Sequence, residues 1–212
     1  MGKRYISQSV IRRLPKYYRY LRDLEKNGVD RVSSSMLANA LGFTASQVRQ
    51  DFSCFGGFGQ QGYGYKVASL LEELAGIIGI NRRHTCAVIG VGNLGRALMC
   101  NFHFTHCGFE LVAAFDADKS LVGKEFGGIT VSDIADIEKY FAENHVDVAV
   151  LTVPKEYVRD VAKRVAGLGI SGIWNFTHID LSLEELGVQV ENVHFAESLM
   201  TLCYGISPGE DV

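Results

Sequence analysis

The feature that most constrains this chain is the hexapeptide Gly90-Val91-Gly92-Asn93-Leu94-Gly95, placed directly after the strand-like run Thr85-Cys86-Ala87-Val88-Ile89. Glycine at its first, third and sixth positions lets the backbone turn sharply, approach a ligand bare, and pack the following helix closely on the strand. That helix is expected to continue from Arg96 to Asn101. A second apolar strand, Leu111 to Phe115, ends in Asp116, 21 residues beyond Gly95. Strand, glycine turn, helix and a second strand closing on an acidic residue together predict one unit of a parallel sheet that binds a dinucleotide. Free N–H groups at the helix start suit a pyrophosphate. Asp116 suits the hydroxyls of an adenosine ribose and repels a 2′-phosphate. The expected ligand is NAD(H) rather than NADP(H), held by Gly90, Val91, Gly92, Asn93, Leu94, Gly95, Arg96 and Asp116.

Further β/α units are expected downstream: a helix over 134–143, a strand over 146–153, a helix over 156–168 and a strand over 172–176. Thr152-Val153-Pro154 and Asn175-Phe176 fall at the C-terminal ends of two of these strands, the edge where open parallel sheets bind ligands. They complete the expected cofactor site, although Phe176 reads equally well as core packing. A last strand over 188–193 and an amphipathic helix from Phe195 to Tyr204 close the chain. The histidines (His84, His103, His106, His145, His178 and His194) form no recognisable catalytic pattern, and nearly all of this half is spent on the nucleotide fold. A binding role is therefore more economical than an enzymatic one; no catalytic residue and no metal site is assigned.

The first 80 residues read differently. Val10, Leu14, Tyr17, Leu21 and Leu24 form a helical apolar stripe opposite Arg12, Lys16, Arg19, Arg22 and Lys26, with the helix proper starting near Pro15. Ser34 or Ser35 is expected to cap a short helix that Gly42 ends. Thr44 and Gln47 form a capping box opening a third helix, from about Ala45 to Phe52. Two short helices across a tight turn match a helix-turn-helix. Ser46, Gln47 and Gln50 face outward on the third helix with Arg49 at its flank, residue types suited to base edges and phosphates. The glycine-aromatic stretch Phe55 to Tyr65 reads as a hairpin whose tip carries Gln60 and Gln61, completing a winged helix. A helix over 66–78, stopped by Gly79, leads to the junction Asn81-Arg82-Arg83.

Charge supports this division. The net charge of −3 averages 11 Lys and Arg against 6 Asp and Glu in residues 1–80, a balance of +5, with 10 against 18 in residues 81–212, a balance of −8. The basic part suits a polyanion such as DNA. The start of the chain, MGKRYIS, lacks the apolar core of a signal peptide. No window approaches the roughly 18 uncharged apolar residues that a bilayer requires. Cys54, Cys86, Cys100, Cys107 and Cys203 are scattered without a C-x-x-C pair. A cytoplasmic chain with reduced thiols is expected, and Cys54 beside the third helix is the candidate for a thiol switch.

The run LPKYYRYLRDLEKNGVDRVSSSMLANALGFTASQVRQDFSCFG, followed by the glycine-aromatic stretch and GVGNLG, resembles the Rex family of redox-sensing transcriptional repressors over essentially the whole chain. The resemblance implies an α/β chain of three parts. These are a winged helix-turn-helix DNA-binding domain at 1–80, a Rossmann-type NAD(H)-binding domain at 81–192, and a C-terminal helix and tail at 193–212, the helix exchanged between the subunits of a homodimer. It also implies an inverted-repeat operator, contacted here by Arg12, Arg13, Tyr17, Ser46, Gln47, Arg49, Gln50, Gln60 and Gln61, and released by NADH. Three departures are expected to tune that behaviour. Gln60-Gln61 stand where relatives commonly carry basic residues, Asn101 where they often have a tyrosine, and His194 about where they often have an aspartate. The competing class is a small NAD-dependent oxidoreductase whose N-terminal domain serves only dimerisation.

Overall fold

The computed structural model describes residues 6–56 and 63–206, and the chain divides into two units, Met1–Arg82 and Arg83–Val212. In the first unit a short α1 (Gln8–Ile11) precedes α2 (Leu14–Lys26), whose first turn holds Pro15 where no intrahelical N–H is needed. Helix α2 buries Leu14, Tyr17 and Leu21 against Leu37, Val48, Phe52, Leu70 and Leu74. The two helices of the helix-turn-helix are α3 (Ser34–Leu41) and α4 (Ala45–Ser53). The cap of α3 is neither expected serine but Ser33, just before them: Ser33 Oγ accepts the Met36 N–H at 3.1 Å. Gly42 ends α3 in the left-handed conformation, with φ +73°. Of the capping box, the threonine half is formed, Thr44 Oγ1 accepting the Gln47 N–H at 3.1 Å.

The wing is anchored by a pairing that periodicity does not reveal. Strand β1 (Arg31–Val32) runs antiparallel to β2 (Tyr65–Lys66), in register Arg31 with Lys66 and Val32 with Tyr65. Tyr65, the last residue of the expected wing, and Lys66 therefore pair back to the segment before α3. At Gly64, with φ +68°, a Cβ would sit 2.7 Å from the Val32 carbonyl oxygen, so only glycine permits this closure. The Arg31 guanidinium donates to the Tyr63 carbonyl at 2.9 Å. The expected wing tip, Gln60-Gln61, lies outside the described residues. Helix α5 (Val67–Ile78) completes the unit, stopped by Gly79.

The second unit is built on a seven-stranded sheet. Its strands are β3 (His84–Ile89), β4 (Phe109–Asp116), β5 (Glu125–Phe126), β6 (Ile129–Asp133), β7 (Val148–Leu151), β8 (Gly172–Asn175) and β9 (Gln189–Asn192), in the order β5-β6-β4-β3-β7-β8-β9. All pairs are parallel except β5 with β6. The parallel strands thus run outward from β3 to one side and then from β7 to the other, the Rossmann order with its switch point between β3 and β7. Alternate residues of β3 face opposite layers. Ala87 and Ile89 enter one core with Phe115, Ile137 and Val165, while Cys86 and Val88 enter the other with Met99 and Phe104. Helices α6 (Asn93–Asn101), α7 (Ile137–Glu143) and α8 (Val158–Ala166) accompany the sheet, and α9 (Phe195–Ile206), which buries none of its residues, follows β9. The β5–β6 hairpin was not expected; its turn is Gly127-Gly128, both at positive φ, the two-residue hairpin geometry. No helix among the described residues is long and apolar enough to cross a membrane.

Candidate functional site

The glycine turn after β3 is a close-packed joint. At Gly95 a Cβ would lie 2.1 Å from the Gly90 carbonyl oxygen. At Gly90, with φ +95°, one would lie 2.9 Å from the Thr152 backbone. Thr152, just past β7, donates its hydroxyl to that same Gly90 carbonyl at 2.5 Å, fastening the two lips of the switch point. Gly92 is the N-cap of α6 with no side-chain cap, so the first-turn N–H groups of Asn93 and Leu94 lack an intrahelical acceptor. Gly92 and Asn93 are exposed, and Leu94 and Arg96 half-buried. Arg96 is folded onto this turn, its guanidinium donating to Asn93 Oδ1 at 2.7 Å. The residues expected to meet a pyrophosphate, Gly92 to Arg96, lie together at this uncapped helix start.

Val91 requires a correction: its side chain is in the core, and its N–H is donated to Asp116 Oδ2 at 2.5 Å rather than left for a ligand. Asp116 Oδ1 accepts the Asp118 N–H at 2.8 Å. The carboxylate is therefore held rigid between two amides while each oxygen keeps a second lone pair for a ribose hydroxyl. Asp118 was not foreseen, although an Asp-x-Asp sequence after a strand is a recognisable turn signal. Hydrogen bonds from Ser120 hold the Asp118 carboxyl below its ordinary range.

At the other strand ends, Val153 is half-buried and Pro154 exposed. Asn175 is corrected outright. It is fully buried, its Nδ2 donating to the Ile179 carbonyl and to Asn192 Oδ1, both at 2.7 Å, and its Oδ1 accepting the Thr177 N–H at 3.1 Å and hydroxyl at 2.7 Å. All four of its hydrogen-bonding positions are used, so it shapes the loop after β8 rather than touching a ligand. Phe176 follows the core reading, with Trp174 at 4.4 Å and Phe195 at 5.9 Å between ring centroids. His194, immediately before α9, hydrogen-bonds Asp180 at 2.7 Å, a partner the sequence did not suggest. Asn101 is the exposed last residue of α6.

On the first unit, Ser46, Arg49 and Gln50 of α4 are exposed, Gln47 is half-buried, and Arg12 is exposed before α2. Arg49 donates to Ser34 Oγ at 3.2 Å, steadying α4 against the start of α3. Tyr17 is corrected, and Arg13, half-buried, is engaged inside the unit. Tyr17 is wholly buried, in edge contact with Phe43 and Phe52, and donates its hydroxyl to Asp51 Oδ2 at 2.7 Å. Burial, then the bond to Asp51, holds this phenol well above its ordinary pKa. Arg13 grips both Asp51 oxygens at 2.7 Å, and that carboxylate raises the guanidinium pKa further. Asp51, itself buried in α4, was missed; the triad joins the start of α2 to the outward-facing helix. Cys54 caps α4 and directs its Sγ to the Gln50 carbonyl at 3.4 Å.

A family model described as "Putative DNA-binding protein N-terminus" matches residues 5–53, and one described as "CoA binding domain" matches residues 81–179. The redox-sensing transcriptional repressor Rex of Clostridium tetani (strain Massachusetts / E88) is 46% identical over 209 residues, 99% of each chain. That of Clostridioides difficile (strain 630) is 45% identical over 210 residues, 99% of this chain and 100% of its own. Among solved structures, the crystal structure of RSP in complex with beta-NAD+ and operator DNA has a TM-score of 0.90 at 43% identity, covering 96% of this chain and 94% of that one. RSP in complex with beta-NADH has a TM-score of 0.88 at 40% identity, covering 96% and 95%.

A winged helix-turn-helix followed by a Rossmann-type dinucleotide fold defines a ligand-responsive DNA-binding regulator. Within that class, the chain belongs to the Rex family of redox-sensing transcriptional repressors. The relatives named above are redox-sensing transcriptional repressors, which agrees with the repressor reading and not with the oxidoreductase one.

Proposed function

We propose that this chain represses transcription in the cytoplasm as a homodimer on an inverted-repeat operator, and that NADH releases it, so that operator occupancy follows the NADH/NAD+ ratio. The observation that carries the reading is the likeness to RSP, described both with NAD+ on operator DNA and with NADH. The glycine turn and the braced Asp116 supply the dinucleotide seat. Asp116 disfavours a ribose bearing a phosphate, which argues for NAD(H) over NADP(H) or coenzyme A. Ser46, Gln47, Arg49, Gln50 and Arg12 supply the DNA face, with Gln60 and Gln61 assigned to the wing. The functional parts are the DNA-binding domain 1–80, the NAD(H) domain 81–192 and the exchanged segment 193–212. Helix α9 leaves Phe195, Leu199, Met200, Leu202, Tyr204 and Ile206 each more than half exposed, an apolar face that a partner subunit would cover.

The physical basis for sensing is charge. NAD+ and NADH differ at the nicotinamide, where NAD+ carries a positive charge that an apolar pocket penalises. If NADH prefers a dimer whose recognition helices no longer match two major-groove half-sites, it weakens DNA binding, and DNA weakens NADH binding by the same factor. A coupling of about 1–3 kcal/mol gives roughly 5–150-fold. Anisotropy of a labelled inverted-repeat duplex tests the reading: release by NADH but not by NAD+ is expected. Retention at saturating NADH, or hydride transfer to a carbonyl substrate, would count against it.

A further inference from the structure

Arg96 is the sole Lys or Arg between Arg83 and Lys119, in a half of the chain whose formal charge is negative. Its guanidinium is folded back on the start of α6. Nη2 donates to Asn93 Oδ1 at 2.7 Å, Nε reaches the Gly92 carbonyl at 3.4 Å, and its carbon stands 5.8 Å from the centroid of the Phe126 ring. Phe126 ends β5, so its ring is carried by the β5–β6 hairpin. That hairpin is seated on α6 at a glycine: a Cβ on Gly127, with φ +56°, would lie 2.1 Å from the Met99 carbonyl oxygen. Met99 and Arg96 are three apart on α6 and share a face. The bare backbone of Gly127 lets the hairpin come down on the helix, and Phe126 meets the arginine one turn nearer the N-terminus.

We propose that Phe126 is a positioning residue for dinucleotide recognition, holding the Arg96 guanidinium over the uncapped first turn of α6 where it meets the pyrophosphate. This rests on the dinucleotide reading above. An unrestrained arginine would lose rotamer freedom on binding; the aromatic face and Asn93 Oδ1 fix its direction beforehand. The helix N-terminus supplies partial positive charge, and Arg96 adds a full charge with fork geometry matched to phosphate oxygens.

Calorimetry on the full chain with NADH, ADP-ribose and adenosine tests the assignment. Arg96→Met is expected to weaken NADH and ADP-ribose by about tenfold or more, the scale of a lost charge-assisted hydrogen bond. Phe126→Leu, which keeps apolar bulk but removes the ring face, is expected to weaken both by about two- to fivefold, with Phe126→Tyr restoring them. Adenosine, which lacks the pyrophosphate, is expected to bind all variants alike. In the Arg96→Met background, Phe126→Leu is expected to cost nothing more. An equal Phe126→Leu loss with and without Arg96, or an equal loss for adenosine, would overturn the proposal in favour of general hairpin packing. Unchanged NADH binding by Phe126→Leu would overturn it directly. Failure of the wild-type chain to bind NADH would instead sink the dinucleotide reading itself.

Discussion

Tyr17→Phe separates a structural role from a DNA-contacting one at a residue whose helix invites the second. The substitution removes one oxygen and leaves the ring that packs at 5.6 Å on Phe43 and 5.1 Å on Phe52. What is lost is a 2.7 Å hydrogen bond to a buried carboxylate. Bonds to charged groups contribute about 1.5–3 kcal/mol. Asp51 keeps both bonds from Arg13, so it is not orphaned, and the lower end applies. About 1.5 kcal/mol corresponds to roughly tenfold faster exchange of the most protected amides. Hydrogen exchange of α2 and α4 peptides is the suitable assay, because the single tryptophan, Trp174, reports on the other unit. Operator affinity, measured where the domain remains folded, is expected to stay within about twofold of wild type, since the scaffold rather than a contact has been weakened. An affinity loss with exchange in α2 and α4 unchanged would refute the reasoning and return Tyr17 to the DNA interface.

Other consequences are equally direct. Gly95→Ala puts a methyl 2.1 Å from the Gly90 carbonyl, a clash relieved only by moving α6 at a cost of about 1–3 kcal/mol. NADH binding measured by fluorescence should fall at least about tenfold while NADH-free operator binding persists; unchanged NADH affinity would contradict the packing account. For Asp147, burial pushes the carboxyl pKa up, but the Thr85 N–H, His145 and the Thr85 hydroxyl outweigh it and hold the group below its ordinary value. Its contribution to stability is therefore present in full above the ordinary carboxylate range near about pH 4 and is lost as pH falls toward the depressed folded value. Urea titrations of wild type and Asp147→Asn should converge in acid and separate at neutral pH; a constant difference would contradict this. Burial pushes the Cys86 thiol up to about 12, so a thiol reagent at neutral pH should modify exposed Cys100 in the native chain and Cys86 only after unfolding. Mass spectrometry of the labelled peptides decides between the outcomes.

The parts legible in the sequence are those with local causes. The glycine turn, the helix stops at Gly42 and Gly79 and the Thr44 cap depend on residues a few positions apart, and the structure has them in place. Less legible are the places where a side chain's partner lies far along the chain. The arginine and tyrosine before and within α2 look available for phosphate until Asp51, 34 and 38 residues away, folds against them. Tyr17 already lay on the apolar stripe, and that spacing was the better guide. Asn175 sits at the right sheet edge, yet Asn192 and the Thr177–Ile179 loop consume its amide. Strands β1 and β5 have two residues each, too few for alternation to register. For β5 a signal did exist: Gly127-Gly128 between Phe126 and Ile129 is a hairpin turn in sequence as well as in structure.

The central claim is that a dinucleotide seat governs DNA binding through the redox state of its ligand. Operator occupancy measured at fixed salt and fixed total dinucleotide, with the NADH/NAD+ ratio stepped upward, tests it most directly. The account predicts a graded fall in occupancy as NADH replaces NAD+, abolished in Gly95→Ala; occupancy that stays level across the whole range would contradict it.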